Sequence, residues 1–401
     1  MQGLLYLTHR IPYPPNKGDK IRSFHLLQHL SKRYRVYLGT FIDAEEDWQY
    51  EEEVRNYCQD VCIARLDPLQ ARVKSLYALS GNDPLTLAYY RNTKLKQWVN
   101  GLFDTRSIQD IVVFSSAMAQ YAEHLSDHHR VIDFVDVDSD KWRQYAQSKP
   151  WPLSWIYRRE SKCLLDYEKK IAGQFSYSTF VSEKEAELFR QFVPDSAAKI
   201  SFFNNGVDTD FFSPARDYPN PYPAEKRVLV FTGAMDYWAN IDAVNWFANS
   251  VFPAVHTTLP DVCFYIVGAK PSRQVQMLAN LPGIHVTGVV GDIRPYLMHA
   301  TAAVAPLRIA RGIQNKVLEA MAMQKPVVVS EQAMEGIHAI SDKELIVARD
   351  AGDFVERLFS LLDSDEQAAM GRLARERVLQ DYTWSANLSR VDALLSGACS
   401  G

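Results

Sequence analysis

Short apolar runs alternate with amphipathic stretches of about twelve or more residues along most of the chain. In the first half this pattern predicts strands at Leu4–Leu7, Arg35–Phe41, Ile111–Phe114, Val131–Phe134, Ser178–Val181 and Lys199–Phe202. The intervening helices are predicted at Ile21–Lys32, Glu45–Cys58 and Glu183–Phe192. Strands that alternate with helices in this way are typical of parallel α/β units.

A second series of the same kind begins after a break rich in proline. Residues 214–226 are predicted to be a linker, because four prolines fall within residues 214–223. Strands then follow at Val228–Thr232, Val262–Val267, His285–Thr287, Ala302–Ala305, Pro326–Val329 and Glu344–Val347, with helices at Ala243–Val255 and Asn315–Ala322. The expected fold class is α/β, with two doubly wound Rossmann-like domains, 1–213 and 227–380, that face each other across a cleft.

The C-terminal residues 381–401 are predicted to form a helix that packs back on the first domain. The stretch Asp365–Leu395 has a helical pattern, which is interrupted at Asp381-Tyr382-Thr383. The interruption separates this last helix from the second domain.

Composition and charge exclude several classes of protein. The 401 residues are 47% apolar and 23% charged, which excludes a disordered or collagenous chain. The 44 basic and 48 acidic residues leave a net charge of −4, which argues against a nucleic-acid binder. Five scattered cysteines and the absence of a long apolar segment lead us to expect a reduced, cytoplasmic protein without a signal peptide or membrane span.

One segment, residues 65–106, fits neither series and carries seven basic against three acidic residues, interleaved with aromatic side chains. Two interpretations remain open. The segment could lie on the surface of an anionic membrane, which would make the protein peripheral to the inner face of that membrane. Alternatively, it could be a solvated helical hairpin over the edge of the sheet.

The first strand ends in a junction that suits an anion. Residues 12–20 read Pro-Tyr-Pro-Pro-Asn-Lys-Gly-Asp-Lys and lead directly into a helix. Gly18, Asp19 and Lys20 would place backbone N–H groups and a cation beside a phosphate or a sugar hydroxyl. Neither a dinucleotide fingerprint nor a P-loop is present, and a proline-stiffened turn that caps the helix is the structural alternative.

An acidic run follows the strand at Val131–Phe134. Residues 133–142 read Asp-Phe-Val-Asp-Val-Asp-Ser-Asp-Lys-Trp, and an EF-hand is excluded because Lys141 and Gln147 replace the required Gly and Glu. Acids at a strand end accept hydrogen bonds from sugar hydroxyls, act as a base or hold a cation. Helix capping by Asp138 or Ser139 accounts for only part of the run.

The strongest cluster spans residues 306–322, where a strand end passes through a glycine-bearing loop into a helix. Arg308, Arg311 and Lys316 surround backbone N–H groups at the helix start, an arrangement that suits a diphosphate. Glu319 lies one turn beyond Lys316 and could accept both hydroxyls of a ribose. The alternative is an ordinary surface pair between Lys316 and Glu319.

A further strand–loop–helix junction at 231–240 contains Gly233, Asp236 and Asn240. The glycine would let a ligand approach the backbone closely, although it could equally serve helix–strand packing.

These motifs resemble glycosyltransferase family four, whose members have the GT-B fold and transfer sugars from nucleotide sugars with retention. The resemblance is carried by Arg308…Gly312…Asn315-Lys316…Glu319-Ala320-Met321-Ala322, by Asn205-Gly206-Val207-Asp208 and by Gly288-x-Val290. The junction at 12–20 and the run at 133–142 are more narrowly similar to the sugar transferases associated with bacterial PEP-CTERM/exosortase exopolysaccharide systems.

The resemblance implies transfer from a nucleoside-diphosphate sugar to a glycan or lipid-linked acceptor in exopolysaccharide biosynthesis, with no metal, no other cofactor and no nucleic acid. The first domain would be the acceptor side and the second would bind the nucleotide sugar. Lys316 and Arg308 would stabilise the diphosphate, and Asp136 would stand where relatives have a histidine. Arg311 occupies the position of the glutamate that contacts the donor sugar.

The implied site residues are many and fall into two groups. The nucleotide-sugar group is Gly18, Asp19, Lys20, Gly233, Asp236, Asn240, Arg311, Gly312, Ile313, Asn315 and Glu319. The acceptor or sugar group is Asp138, Ser139, Lys141 and Trp142.

Other functions remain open. A sugar-nucleotide epimerase or hydrolase could use the same diphosphate site, and a noncatalytic partner subunit would explain why Arg311 replaces the family glutamate. The missing glycine fingerprint argues against a nicotinamide-dependent oxidoreductase.

Overall fold

A computed structural model describes residues 1–15, 18–310 and 312–397 of the chain. It divides the chain into two compact units. Unit 1 contains Met1–Asn204 and the chain from Leu388 onward, and unit 2 contains Asn205–Asn387. The boundary at Asn204 differs from the predicted one, because residues 205–213 belong to unit 2.

Unit 1 is built on a seven-stranded parallel sheet with the order β3-β2-β1-β4-β5-β6-β7. Its strands are β1 Gln2–Thr8, β2 Tyr34–Ile42, β3 Asp60–Arg65, β4 Ile108–Phe114, β5 His129–Val135, β6 Tyr177–Phe180 and β7 Ile200–Phe202. Leu4 to Leu7 are all fully buried. Burial of consecutive residues means that helices cover both faces of the sheet, as parallel sheets require.

The helices of unit 1 are α1 Gly18–Ser31, α2 Glu51–Arg55, α3 Pro68–Leu76, α4 Leu85–Tyr89, α5 Thr93–Thr105, α6 Asp138–Ser148, α7 Leu153–Gln174 and α8 Glu183–Phe192. Local sequence sets several of their starts. Ser182 accepts the backbone N–H of Glu185 and so caps α8, and Asp67 caps α3 in the same way.

Unit 2 is built on a six-stranded parallel sheet with the order β10-β9-β8-β11-β12-β13. Its strands are β8 Arg227–Thr232, β9 Val262–Val267, β10 Ile284–Gly288, β11 Ala302–Ala305, β12 Val327–Ser330 and β13 Ile346–Ala348. Its helices are α9 Trp238–Ser250, α10 Phe252–Thr258, α11 Arg273–Met277, α12 Arg294–His299, α13 Asn315–Ala322, α14 Glu331–Met334, α15 Ala351–Asp363 and α16 Gln367–Asp381. A last helix, α17 Trp384–Leu395, begins in unit 2 and continues into unit 1.

Both sheets reverse their strand order next to the first strand of their series, so the prediction of two doubly wound α/β sheets is confirmed. The sequence prediction missed β3. The predicted helix Glu45–Cys58 is a 3-10 turn followed by the short α2, and Ala243–Val255 is divided at Val251 because Pro253 starts α10. The internal proline explains the division of the second helix.

The predicted linker 214–226 is wrong as a free connection, because it packs on unit 2. Tyr218 and Tyr222 are buried, and the Tyr222 hydroxyl donates to the Tyr296 carbonyl at 2.7 Å. The carbonyl of Tyr218 lies 2.7 Å from His299 Nε2. Two tyrosines between prolines therefore anchor the segment.

The C-terminal residues divide between the units. The chain from Leu388 belongs to unit 1, where Asp392 lies 2.8 Å from His29 and 2.7 Å from Arg33. Within unit 2, a Cβ on Gly206 would lie 2.4 Å from the Trp384 backbone nitrogen. The Asn-Gly-Val-Asp turn therefore packs tightly against the backbone at Trp384. No helix in the described parts of the chain is long and apolar enough to cross a bilayer.

Candidate functional site

The strand order of unit 2 reverses between β8 and β11, and a cavity of about 590 Å³ opens there. Ligands of doubly wound sheets bind at such switch points. The cavity is lined by Thr232, Gly233, Ala234, Tyr237, Asn240, Val267, Gly268, Ala269, Val289, Val290, Ile293, Ile313, Gln314, Asn315, Lys316 and Glu319. Six of the residues predicted from sequence for the nucleotide sugar or the diphosphate, Gly233, Asn240, Ile313, Asn315, Lys316 and Glu319, thus meet in one cavity.

Two glycines bring backbone close together on one wall of this cavity. A Cβ on Gly233 would lie 2.8 Å from the side-chain nitrogen of Asn240 and 3.3 Å from Lys316 Nζ. A Cβ on Gly268 would lie 1.7 Å from the Gly233 carbonyl oxygen. A side chain would not fit at either glycine, so only backbone forms this wall and the cavity in front of it stays open to a ligand.

Lys316 is held in place by neutral groups. Its Nζ donates to the side-chain oxygen of Asn240, and the Asn240 amide nitrogen donates in turn to the Ala234 carbonyl at 2.8 Å. The ammonium also lies 4.2 Å from the centroid of the Phe231 ring. Burial lowers the pKa of Lys316 to about 7, although the nearby charge of Glu319 opposes that shift.

Glu319 faces the same cavity without a partner among the described residues. Burial raises the pKa of its carboxyl to about 7, against the effect of Lys316. No ion pair within 4.0 Å joins Lys316 and Glu319, so the alternative of a surface ion pair is wrong. An anion beside Lys316 and hydroxyl donors beside Glu319 would satisfy both groups.

The start of α13 adds a third favourable feature. The helix runs over Asn315–Ala322, and the residue before it, Gln314, supplies no side-chain cap. Gly312 adopts a φ of 63°, which turns the preceding loop, and its carbonyl accepts from the Gln314 amide at 3.0 Å. Since Gln314 and Asn315 line the cavity, uncapped N–H groups and the positive end of the helix dipole lie beside Lys316.

Other predicted residues do not line this cavity. Arg308 forms an ion pair with Asp242 of α9 and lines a separate depression with Trp238 and Trp246. Asp236 is exposed, and its carboxylate lies 3.9 Å from Lys270 Nζ. Arg311 lies outside the described residues. Among the described residues, Lys316 is therefore the cation that lines the cavity, and the charge of Arg308 is compensated by Asp242.

Unit 1 has its own cavity, of about 510 Å³, beyond the carboxyl ends of β1 and β4. It is lined by His9, Arg72, Ser75, Leu85, Thr86, Tyr89, Tyr90, Ser115, Asp138, Lys141, Trp142 and Tyr145. This position is also a switch point of the sheet. Three of the four residues predicted for the acceptor or sugar, Asp138, Lys141 and Trp142, lie on its wall.

The acidic run is occupied by internal contacts. Lys141 Nζ lies 2.7 Å from Asp136 and 3.3 Å from Asp138. Burial would lower the pKa of Lys141, but these two carboxylates outweigh it and raise the pKa above its ordinary value. Asp136 does not line the cavity, so its predicted catalytic position lacks support from the geometry. Among the described residues no group of His, Cys, Asp or Glu is arranged to hold a metal ion.

The prediction for Ser139 is wrong, because its side chain is buried away from the cavity. Ser139 is 2% exposed, and its hydroxyl donates to Glu168 of α7. Burial raises the pKa of Glu168 to about 8, helped by the charge of Asp138 and opposed by the hydrogen bonds from Ser139. The fourth predicted residue therefore connects α6 to α7.

The junction at the start of α1 is likewise closed by ion pairs. Lys20 is buried and lies 2.7 Å from Asp47, and Asp19 lies 2.7 Å from Arg10. The Lys20 ammonium is therefore not available to a phosphate, which corrects that prediction, and the Asp19 carboxylate is held by Arg10. Gly18 is different, since a Cβ at this position would meet nothing within 4 Å and the backbone there remains open.

His9 is a candidate that the sequence prediction missed. It follows β1 directly, stacks on Phe114 with ring centroids 5.7 Å apart and faces the cavity of unit 1. Its Nε2 lies 3.4 Å from Asp19, and its buried Nδ1 has no hydrogen-bond partner among the described residues. Its position immediately after a strand was the only signal in the sequence.

Backbone strain marks the same edge of the sheet. Ser115 and Val135, at the carboxyl ends of β4 and β5, have φ values of 79° and 71°. Positive φ is unusual for serine and rarer for a β-branched valine, and such residues concentrate at functional sites.

A comparison with known protein families matches a segment that lies within unit 2. Residues 226–364 match the sequence model of the family described as Glycosyl transferases group 1. This segment contains the whole cavity of unit 2.

Two curated relatives are the trehalose synthases of Thermococcus litoralis and Pyrococcus furiosus. Each is 27% identical over 193 residues, which cover 43% of this chain. The match spans 44% of the length of each relative.

Solved structures resemble the chain over almost its full length. The crystal structure of Anabaena HepE in complex with UDP has a TM-score of 0.66 at 14% identity and covers 99% of this chain and 100% of its own. Sucrose-phosphate synthase from Thermosynechococcus elongatus has a TM-score of 0.66 at 16% identity, with 99% of both chains covered. The fold is therefore GT-B, as the sequence resemblance implied.

Proposed function

We propose that the protein is a glycosyltransferase that takes a sugar from a nucleoside-diphosphate donor bound in the cavity of unit 2. The observation that carries the proposal is the meeting of Lys316, the uncapped start of α13 and Glu319 around one cavity at a switch point. A cation and free N–H groups fit a diphosphate, and a carboxylate one turn away fits the hydroxyls of a ribose.

In this proposal the leaving diphosphate collects negative charge as the bond to the sugar breaks. Lys316 and the N–H groups of α13 stabilise that charge, which is the main electrostatic task of the reaction. Asn240 is a positioning residue, since it holds Lys316 through its amide oxygen. Burial alone lowers the pKa of Lys316, so a bound diphosphate would itself favour the charged ammonium.

Two findings on similar proteins support this donor class. The segment that matches Glycosyl transferases group 1 includes every residue of the cavity. Anabaena HepE, which shares the fold, was also solved in complex with UDP-glucose.

The acceptor belongs to the cavity of unit 1 in this proposal. Trp142, Tyr89 and Tyr145 offer aromatic faces for sugar rings, and Asp138 and His9 offer polar groups at the same wall. A glycan or lipid-linked acceptor fits this lining. The motifs at 12–20 and 133–142 support a role in exopolysaccharide biosynthesis, and the family resemblance of residues 205–208 and 308–322 supports retention of configuration.

A turnover assay tests the proposal and separates its rivals. The purified protein is incubated with a panel of radiolabelled nucleoside-diphosphate sugars, with and without a lipid and glycan extract. We expect label to move to an extract component with one donor. Donor consumption without acceptor would indicate the hydrolase or epimerase instead, and binding without turnover in any extract would indicate a noncatalytic subunit.

A further inference from the structure

Two segments of unit 1 contain no acidic residue at all. Residues 68–82 and 141–159 together hold 34 positions without Asp or Glu. They contain seven basic residues: Arg72, Lys74, Lys141, Arg143, Lys149, Arg158 and Arg159. In a chain with 48 acidic against 44 basic residues, such a concentration of one sign is a local property that the net charge hides.

The same segments expose large apolar side chains. Those that are at least 43% exposed are Leu69, Val73, Leu76, Tyr77, Tyr145, Trp151, Leu153 and Trp155. Trp151 is 80% exposed and Tyr77 is 79% exposed. Solvated helical faces do not normally present aromatic residues in this number, so the exposure calls for a partner.

The two segments adjoin each other. The Arg159 guanidinium at one end of the second segment donates to the carbonyls of Ala78 and Gly81 in the first. Arg72 and Ser75 of the first segment also line the unit 1 cavity together with Trp142 and Tyr145 of the second. We call these two segments, 68–82 and 141–159, the basic-aromatic face.

Only part of the charge on this face is neutralised within the protein. Lys141 is paired with Asp136 and Asp138, and Arg143 is paired with Asp140. Arg72, Lys74, Lys149 and Arg158 form no ion pair with an acidic residue in the described chain. Their basic groups therefore remain available to an anionic surface.

We propose that the basic-aromatic face docks on the surface of an anionic lipid bilayer. Tryptophan and tyrosine favour the interface between headgroups and hydrocarbon, and lysine and arginine are attracted to anionic headgroups at the same depth. An anionic bilayer satisfies both features of the face, its free cations and its interfacial aromatics. Docking of this kind depends on neither the donor nor the transfer step.

The face differs from the surface expected from sequence. The expected segment 65–106 includes α5, whose residues Leu95, Val99 and Leu102 are buried against the sheet. The docking face instead combines α3 and the turn after it with most of α6, the connection to α7 and the first turns of α7. It borders the unit 1 cavity, so a lipid-linked acceptor would enter beside the bilayer, a consequence that rests on the proposed function.

Vesicle flotation tests the docking directly. The full chain is mixed with vesicles of phosphatidylcholine alone or of phosphatidylcholine with about 30% anionic phosphatidylglycerol. We expect flotation with the anionic vesicles only, and release at high salt. Trp151→Ala with Trp155→Ala, and separately Lys74→Glu with Lys149→Glu, should each reduce the partition coefficient about tenfold or more.

Matched substitutions elsewhere serve as controls. Trp238 is 54% exposed in unit 2, close to the 51% of Trp155, so Trp238→Ala should float like the wild type. Lys226→Glu with Lys343→Glu repeats the double charge reversal at two exposed positions of unit 2. Circular dichroism and nucleotide binding show whether each variant is folded.

Four results would overturn the proposal, three of them from the flotation assay. These are equal binding to neutral and anionic vesicles, no binding to either, or an equal loss in the control variants. A wild-type dimer that the Trp151 and Trp155 substitutions dissociate would likewise show that the face contacts a second copy. None of these results depends on glycosyl transfer, so docking and the proposed function can fail separately.

Discussion

At the scale of residues, Lys316 combines a functional position with a cost in stability. Its ammonium is desolvated, and burial lowers its pKa to about 7 from an ordinary 10.5. The unfolded chain binds this proton more strongly than the folded protein does. At any pH below about 10.5, the buried lysine therefore lowers the free energy of unfolding. Residues that bind a ligand often lower the stability of the protein in this way.

Replacing Lys316 should stabilise the protein when no nucleotide is bound. We expect Lys316→Met to raise the free energy of unfolding by about 1 kcal/mol at pH 7, a melting shift of roughly 2–4 °C for a unit of this size. The unfolded chain binds more protons between the two pKa values, so wild-type stability rises with pH there and the advantage of the variant shrinks by pH 9. Urea unfolding at pH 7 and 9 measures both; a variant less stable than wild type at pH 7 would contradict this account.

Glu319 should discriminate between sugars of the nucleotide. With the nucleoside diphosphate that binds best, the wild type should bind the ribose form about tenfold more tightly than the 2′-deoxy form, because a hydrogen bond to a charged group is lost. Glu319→Ala should remove that preference. Lys316→Ala serves as the control, since it should weaken both forms while the ratio persists; an unchanged ratio in Glu319→Ala would exclude the ribose contact.

At the scale of elements, the wall of the donor cavity depends on the approach of two loops. Gly268 follows β9, and a Cβ there would lie 1.7 Å from the Gly233 carbonyl after β8. Backbone cannot move aside as a flexible side chain does. Both the stability of unit 2 and the shape of the cavity therefore depend on this close approach of Gly268 to Gly233.

The substitution Gly268→Ala should lower the free energy of unfolding by about 2 kcal/mol or more and weaken nucleotide binding at the same time. Gly101→Ala is the matched control. A Cβ on Gly101 in α5 would meet nothing within 4 Å, so alanine should be neutral or add about 0.5–1 kcal/mol. Scanning calorimetry compares the two variants, and equal effects would show that the close approach is not limiting.

Element boundaries illustrate what periodicity can predict. Strands such as β1 and β9 were found, because Leu4 to Leu7 and Val262 to Val267 are uninterrupted runs of apolar, buried residues. β3 was missed because its four apolar residues stand between Asp60 and Arg65 beside a predominantly basic segment. The linker was misassigned because its prolines are visible in the sequence, while the burial of Tyr222 against Tyr265 is not.

At the scale of the whole molecule, the donor site was more predictable than the acceptor side. Lys316, Glu319 and the start of α13 lie within eight residues, so local spacing already placed them together. Gly233 and Asn240 could be added because both follow the first strand of their sheet.

Partners distant in sequence could not be foreseen. Arg22 and Asp133 are separated by 111 residues, yet they form a buried ion pair at 2.7 Å. The same kind of distant pairing occupies Lys20 with Asp47 and Arg308 with Asp242. Lys20 and Arg308, the two cations that the sequence assigned to a phosphate, therefore form ion pairs within the protein.

Calorimetric titration of nucleoside diphosphates into the wild type, Lys316→Ala and Arg308→Ala tests the central claim most directly. One nucleoside diphosphate should bind the wild type, and Lys316→Ala should weaken it about tenfold or more, because a charge-assisted contact is lost. Arg308→Ala should change the affinity less than about threefold, since Asp242 already compensates that arginine. Unchanged affinity in Lys316→Ala, or a larger loss in Arg308→Ala, would contradict a donor site built on α13.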